Sequence, residues 1–146
     1  MFIRKMDAGE GHICLDLNSF TAVAGTWALG ASSSYYFYAT VSNSTAPANG
    51  DKISFKIYLA SGIYKIYHLG TKNSNQGILQ FALDGADVHS IDQYNATLVN
   101  NSSTSSSNIS IARAGLYTLT MYANGKNASS SSYVVSAHQV AFVRVS

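Results

Sequence analysis

Carboxylates are scarce in this chain. Glu10 is the only glutamate, and charged residues of both signs make up 11% of the 146 residues, against about 25% in an average globular domain. Glycoside hydrolysis needs two carboxylates flanking a cleft, so this composition argues against that chemistry. Cysteine occurs once, at Cys14, which excludes an internal disulfide. Its neighbours Ile13 and Leu15 predict a strand in which the thiol is a small core residue. Proline also occurs once, at Pro47, inside a run of turn-forming residues where a missing amide hydrogen costs least. No apolar run reaches the roughly 18 residues of a membrane-spanning helix. Neither a phosphate-binding glycine loop nor a Gly-x-Ser-x-Gly elbow is present.

Positive charge is thin as well. The nine Lys and Arg residues give a net charge of +2, and only Arg4 and Lys5 are adjacent. Nucleic-acid binding needs clustered cations to release counterions, so neither nucleic acid nor membrane is an expected partner. Between the Arg4-Lys5 pair and the acids Asp7 and Glu10 there is no apolar stretch of the kind a secretory leader carries. The expectation is a chain made in a cytoplasm, or one whose leader has been removed. Ser, Thr, Asn, Gly and Tyr fill the surface instead, a composition suited to a particle surface or an extracellular setting.

With 47% hydrophobic residues the chain has enough apolar material for one folded domain. Residues 1–11 read as an N-terminal arm and residues 12–146 as the domain. Strands are predicted at residues 12–17, 35–41, 52–59, 63–69, 78–83, 86–91, 109–112 and 116–123, with a last apolar stretch at 133–145. The segment 52–59 is the clearest: Ile53, Phe55, Ile57 and Leu59 alternate with Lys52, Ser54, Lys56 and Tyr58, the period of a sheet with one wet face. Asp84-Gly85 predicts a type I′ hairpin between two strands. The serine-rich residues 95–107 read as a loop. No segment carries a helical stripe. The expected fold is all-β, a jelly-roll β-sandwich of about eight to ten antiparallel strands.

Little on this scaffold points to catalysis. Asp84, Asp87 and Asp92 surround one hairpin and read as turn and surface residues. A structural calcium on Asp84 or Asp87 plus carbonyls is conceivable, but no dense acidic loop supports it, and no cofactor is expected. His12, His68, His89 and His138 lack metal-ligand spacing. The aromatics stand out: ten tyrosines and one tryptophan. Trp27, Tyr35, Tyr36, Tyr38, Tyr58, Tyr67 and Tyr94 are the candidate binding or interface residues, by sugar stacking or subunit contact, set against ordinary cross-strand pairing.

A longer pattern joins these segments. Gly62-Ile63-Tyr64, Gly70-Thr71-Lys72, Gly77-Ile78, Leu83-Asp84-Gly85 and Ile91-Asp92-Gln93-Tyr94 are followed by Gly115-Leu116-Tyr117-Thr118-Leu119, Gly125-Lys126-Asn127 and Ser130-Ser131-Ser132-Tyr133. This order resembles jelly-roll modules of the carbohydrate-binding, galactose-binding-like type over residues 50–145. Similar modules are common in bacteriophage virion proteins as decorations and fibres. The resemblance implies a non-enzymatic virion structural or decoration protein that forms a homo-oligomer, a trimer by preference, on a capsid or tail. The expected location is then the virion, or the extracellular space as the alternative. The alternative function is a carbohydrate-binding module that recognises glycans through exposed aromatics, and a small hydrolase comes third.

Overall fold

Alternation of apolar and polar residues builds two facing sheets. The computed structural model describes residues 12–31 and 39–146. The expected arm at 1–11 and the aromatic run holding Tyr35, Tyr36 and Tyr38 lie outside the described residues. Among the described residues thirteen strands run in chain order: β1 His12–Cys14, β2 Thr21–Ala24, β3 Ala28–Ala31, β4 Ala39–Ser42, β5 Lys52–Leu59, β6 Gly62–Lys72, β7 Ile78–Leu83, β8 Ala86–Asp92, β9 Val99–Ser105, β10 Ile109–Ile111, β11 Gly115–Ala123, β12 Ser136–Ala137 and β13 Gln139–Arg144.

The front sheet has the order β1-β13-β6-β10, with β9 also paired to β6. The back sheet has the order β2-β5-β11-β7-β8, and β12-β4-β3 form a smaller third sheet. All strand pairings among the described residues are antiparallel. The fold is an all-β jelly-roll sandwich.

Ile53, Phe55, Ile57 and Leu59 are all buried, as their spacing predicts. Cross-strand register places Phe55 opposite Leu119 and Ile53 opposite Met121 on the same inner face. From the front sheet, Tyr64, Ile66, Val140 and Phe142 close the core. The Tyr64 and Phe142 rings meet edge-on with centroids 6.5 Å apart. The hairpin at Asp84-Gly85 forms as expected: both residues have positive φ, 47° and 84°, which Asp and Gly tolerate best.

Four sequence expectations need correction. The serine-rich stretch is not all loop, because Val99–Ser105 is a strand on β6. It needs no apolar content: its side chains are exposed or half-buried, and the pairing comes from the backbone. Ser106 then anchors the stretch, its Oγ accepting from the Ile66 amide at 2.8 Å. The first strand is only three residues long, because Asp16 caps a 3-10 turn at Leu17–Ser19 by accepting from the Asn18 amide. Cys14 is exposed, since Ile13 and Leu15 take the inward positions. The strand count also exceeds the expected eight to ten: the last apolar stretch splits at His138 into β12 and β13, and residues 20–30 supply β2 and β3.

Candidate functional site

The predicted aromatic residues do not converge on one platform. Trp27 is only 9% exposed and belongs to the core. Its indole N–H donates to the Ala24 carbonyl at 3.0 Å. As a surface contact it is therefore excluded by burial. Tyr94 is half-buried beyond β8, bridged to Asn73. Tyr58 and Tyr67 are exposed, at 61% and 42%, but on opposite outer faces. Tyr58 alternates with the buried residues of β5 in the back sheet, and Tyr67 lies between buried Ile66 and His68 in the front sheet.

Around Tyr67 the front sheet forms a shallow hollow of about 210 Å³, lined by Tyr67, His68, Leu69, Ser103, Gln139 and Ala141. The register explains its shape. Tyr67 pairs with Ala141 on one side and Ser105 on the other, and Leu69 pairs with Gln139 and Ser103. Small neighbours on both flanking strands leave the tyrosine ring standing clear. A ring of this kind offers an apolar face with a polar tip. The Gln139 amide and Ser103 hydroxyl supply neutral donors and acceptors beside it. The hollow is smaller than the roughly 300–1,000 Å³ pockets that enclose drug-sized ligands. It suits part of an extended ligand whose remainder stays in solvent.

Tyr67 is among the residues singled out from sequence, but its neighbours in this hollow are not. The sequence reads as a loop at Ser103 and Ser105 and as an undivided apolar stretch at Gln139. The signal that would have located them is the alternation in Ser103-Thr104-Ser105, which is weak because every residue in it is polar.

A second cleft of about 340 Å³ opens at the flank of the sandwich, between β1 and the second half of β5. Ile13, Leu15, Phe55 and Ile57 form its apolar part, with Asp16 and Lys56 also lining it. The Lys56 ammonium is engaged by the Thr118 hydroxyl on the adjacent strand. On the same outer face Tyr58 pairs with Leu116, 66% exposed, and Lys52 lies over the Tyr122 ring at 5.0 Å.

The carboxylates around the β7–β8 hairpin are each engaged locally. Asp84 accepts from the Thr118 amide at 2.8 Å, Asp87 from the Tyr122 hydroxyl at 2.7 Å, and Asp92 from Tyr94 and Asn127. Burial, and then the bond to Asp87, push the Tyr122 hydroxyl pKa up to about 12. Among the described residues no three His, Cys, Asp or Glu side chains gather to hold a metal ion.

The histidines do come together in part. His68 is buried, with Nε2 3.0 Å from the Ser136 carbonyl, which the Gln93 amide also reaches at 2.8 Å. Burial, followed by the nearby charges of His138, His89 and Lys72, lowers the His68 pKa to about 4 despite the bond to Ser136. His138 lies between the Thr40 and Thr71 hydroxyls at 2.7 and 2.8 Å. Burial also lowers the pKa of His89 and His138. His68 and His138 tie the third sheet to the sandwich interior.

No family model and no curated protein matches the sequence. Solved structures do match in fold. Over 90% of its length the chain is similar to part of a Paenibacillus xanthan lyase, with 20% identity and a TM-score of 0.74; this is 13% of that enzyme's chain. It is similar over 90% of its length to the CBM36-1 domain of a multidomain xylanase from the hindgut metagenome of Trinervitermes trinervoides, covering 96% of that domain at 13% identity and a TM-score of 0.65. A carbohydrate-binding module CBM36 solved in complex with calcium and xylotriose matches at 15% identity, with 90% and 95% of the two chains covered and a TM-score of 0.56. Carbohydrate-binding modules thus share this fold.

Proposed function

We propose that the chain is a non-catalytic carbohydrate-binding module that holds a glycan against Tyr67 on the outer face of the front sheet. The carrying observation is the coincidence in extent: 90% of the chain superposes on 96% of the CBM36-1 carbohydrate-binding domain of a multidomain xylanase. The hollow beside Tyr67 adds the chemistry. An exposed ring can stack on the C–H face of a sugar, while Gln139 and Ser103 meet its hydroxyls. Neither that hollow nor the flank cleft is lined by two carboxylates, which supports a binding role over hydrolysis.

Of the readings made from sequence, this is the alternative one. Assembly on a virion, with a homo-oligomer as the working form, has no support in the fold comparisons. The test is retardation of the chain in gels containing immobilised plant and bacterial polysaccharides. Retardation by at least one polymer, lost on Tyr67→Ala with the fold intact by circular dichroism, is the expected result. Free migration with every polymer would remove the glycan reading.

A further inference from the structure

The two sheets differ in charge. The five strands of the front sheet contain Lys65, Lys72 and Arg144 but not one Asp or Glu. The back sheet mixes Lys52 and Lys56 with Asp87 and Asp92. Its lysines are also already engaged, Lys52 by the Tyr122 ring and Lys56 by Thr118.

On the front sheet Lys65 precedes Tyr67 by two residues, so both project from the outer face. Two residues of strand advance about 7 Å, so one extended ligand can reach both side chains. Lys65 pairs across the sheet with Val143, and Val143 with His12. Among the described residues no carboxylate stands opposite Lys65 to neutralise it. Asp16, past the end of β1, is taken up by the 3-10 turn it caps. Arg144 is turned away, its guanidinium donating to the Ser61 carbonyl at 2.7 Å.

We infer that the Tyr67 surface selects an anionic glycan, with the stacked ring on Tyr67 and the adjacent negative group, carboxylate or sulfate, on Lys65. This rests on the glycan reading above and narrows it to a ligand class. A single half-buried lysine gives modest selectivity, up to about 1 kcal/mol for such a pair, or roughly five-fold in affinity.

The test uses the full chain in affinity gels with polygalacturonate, a sulfated glucan and a neutral xylan, each at low and high salt. The expected result is tighter binding of an anionic polymer that weakens with salt. Lys65→Gln should reduce that binding by up to about five-fold and flatten its salt dependence. Lys72→Gln removes the same charge at the far end of β6 and should leave binding unchanged. The polygalacturonate and sulfated-glucan arms tell carboxylate from sulfate. Equal binding of neutral xylan, or identical losses for the Lys65 and Lys72 variants, would overturn the anionic selectivity while leaving the glycan reading standing. Failure to bind any of the three would count against the glycan reading itself.

Discussion

His68 of the front sheet meets Phe81 of the back sheet edge-on, with ring centroids 6.0 Å apart, and Phe81 stacks on His89 at 5.9 Å. An imidazole thus spans the space between the two sheets, with Nδ1 buried and unpartnered. Protonation would place a charge there with no carboxylate to answer it.

A pH dependence follows from that arrangement. Burial depresses the folded-state pKa of His68 from 6.5 to about 4, so below pH 6.5 the unfolded chain binds the proton more readily. The contribution is full above pH 6.5 and is lost as pH falls toward 4, on the order of 3 kcal/mol in all. His89 and His138 shift in the same direction and add to the slope. Urea unfolding at pH 7, 5.5 and 4 should show the decline, and His68→Gln should flatten it. A variant as acid-sensitive as the parent would assign the slope to other groups.

A second prediction concerns Gly25. Its φ is 79°, and a β-carbon there would overlap the buried Asp51 carboxylate. That carboxylate is fixed by the Asn43 side chain at 2.8 Å and the Ala48 amide at 2.9 Å, so it cannot yield cheaply. Gly25→Ala should cost about 2–3 kcal/mol through overpacking and backbone strain. Chemical denaturation measures it, and a loss under about 0.5 kcal/mol, typical of surface changes, would show that the carboxylate moves aside.

Phe55→Ala tests the core directly. Phe55 is buried on β5 opposite Leu119, and its truncation should cost roughly 3–5 kcal/mol. The neighbouring outward residue gives the contrast. Tyr58→Ser should change stability by no more than about 0.5 kcal/mol and leave glycan binding unchanged, because its ring stands on the other outer face. Loss of binding in that variant would relocate the site to the back sheet.

How much of this was legible in the sequence depended on alternation. β5 and the Asp84-Gly85 hairpin were readable because one face of each strand is apolar and the turn demands particular residues. β9 was not, since an edge strand that buries little needs no apolar residues and leaves no periodic trace. Cys14 was misplaced for a related reason: three residues of strand are too few to show which parity faces inward. The proposed binding surface was legible only as a surplus of tyrosines. Its composition depends on which strands flank β6, and Ala141 and Ser105 become neighbours of Tyr67 only through pairings across 74 and 38 residues of chain.

The central claim is that a glycan occupies the outer face of the front sheet at Tyr67. The most direct measurement is amide chemical-shift mapping of the isotope-labelled chain during titration with oligosaccharides of a polymer that retards it. The account predicts saturable shifts at Tyr67, Leu69, Ser103, Ser105 and Gln139, with Lys56, Tyr58 and Leu116 unmoved. Shifts gathered around Tyr58 and Leu116, or along the flank cleft, with the Tyr67 group unmoved, would contradict it.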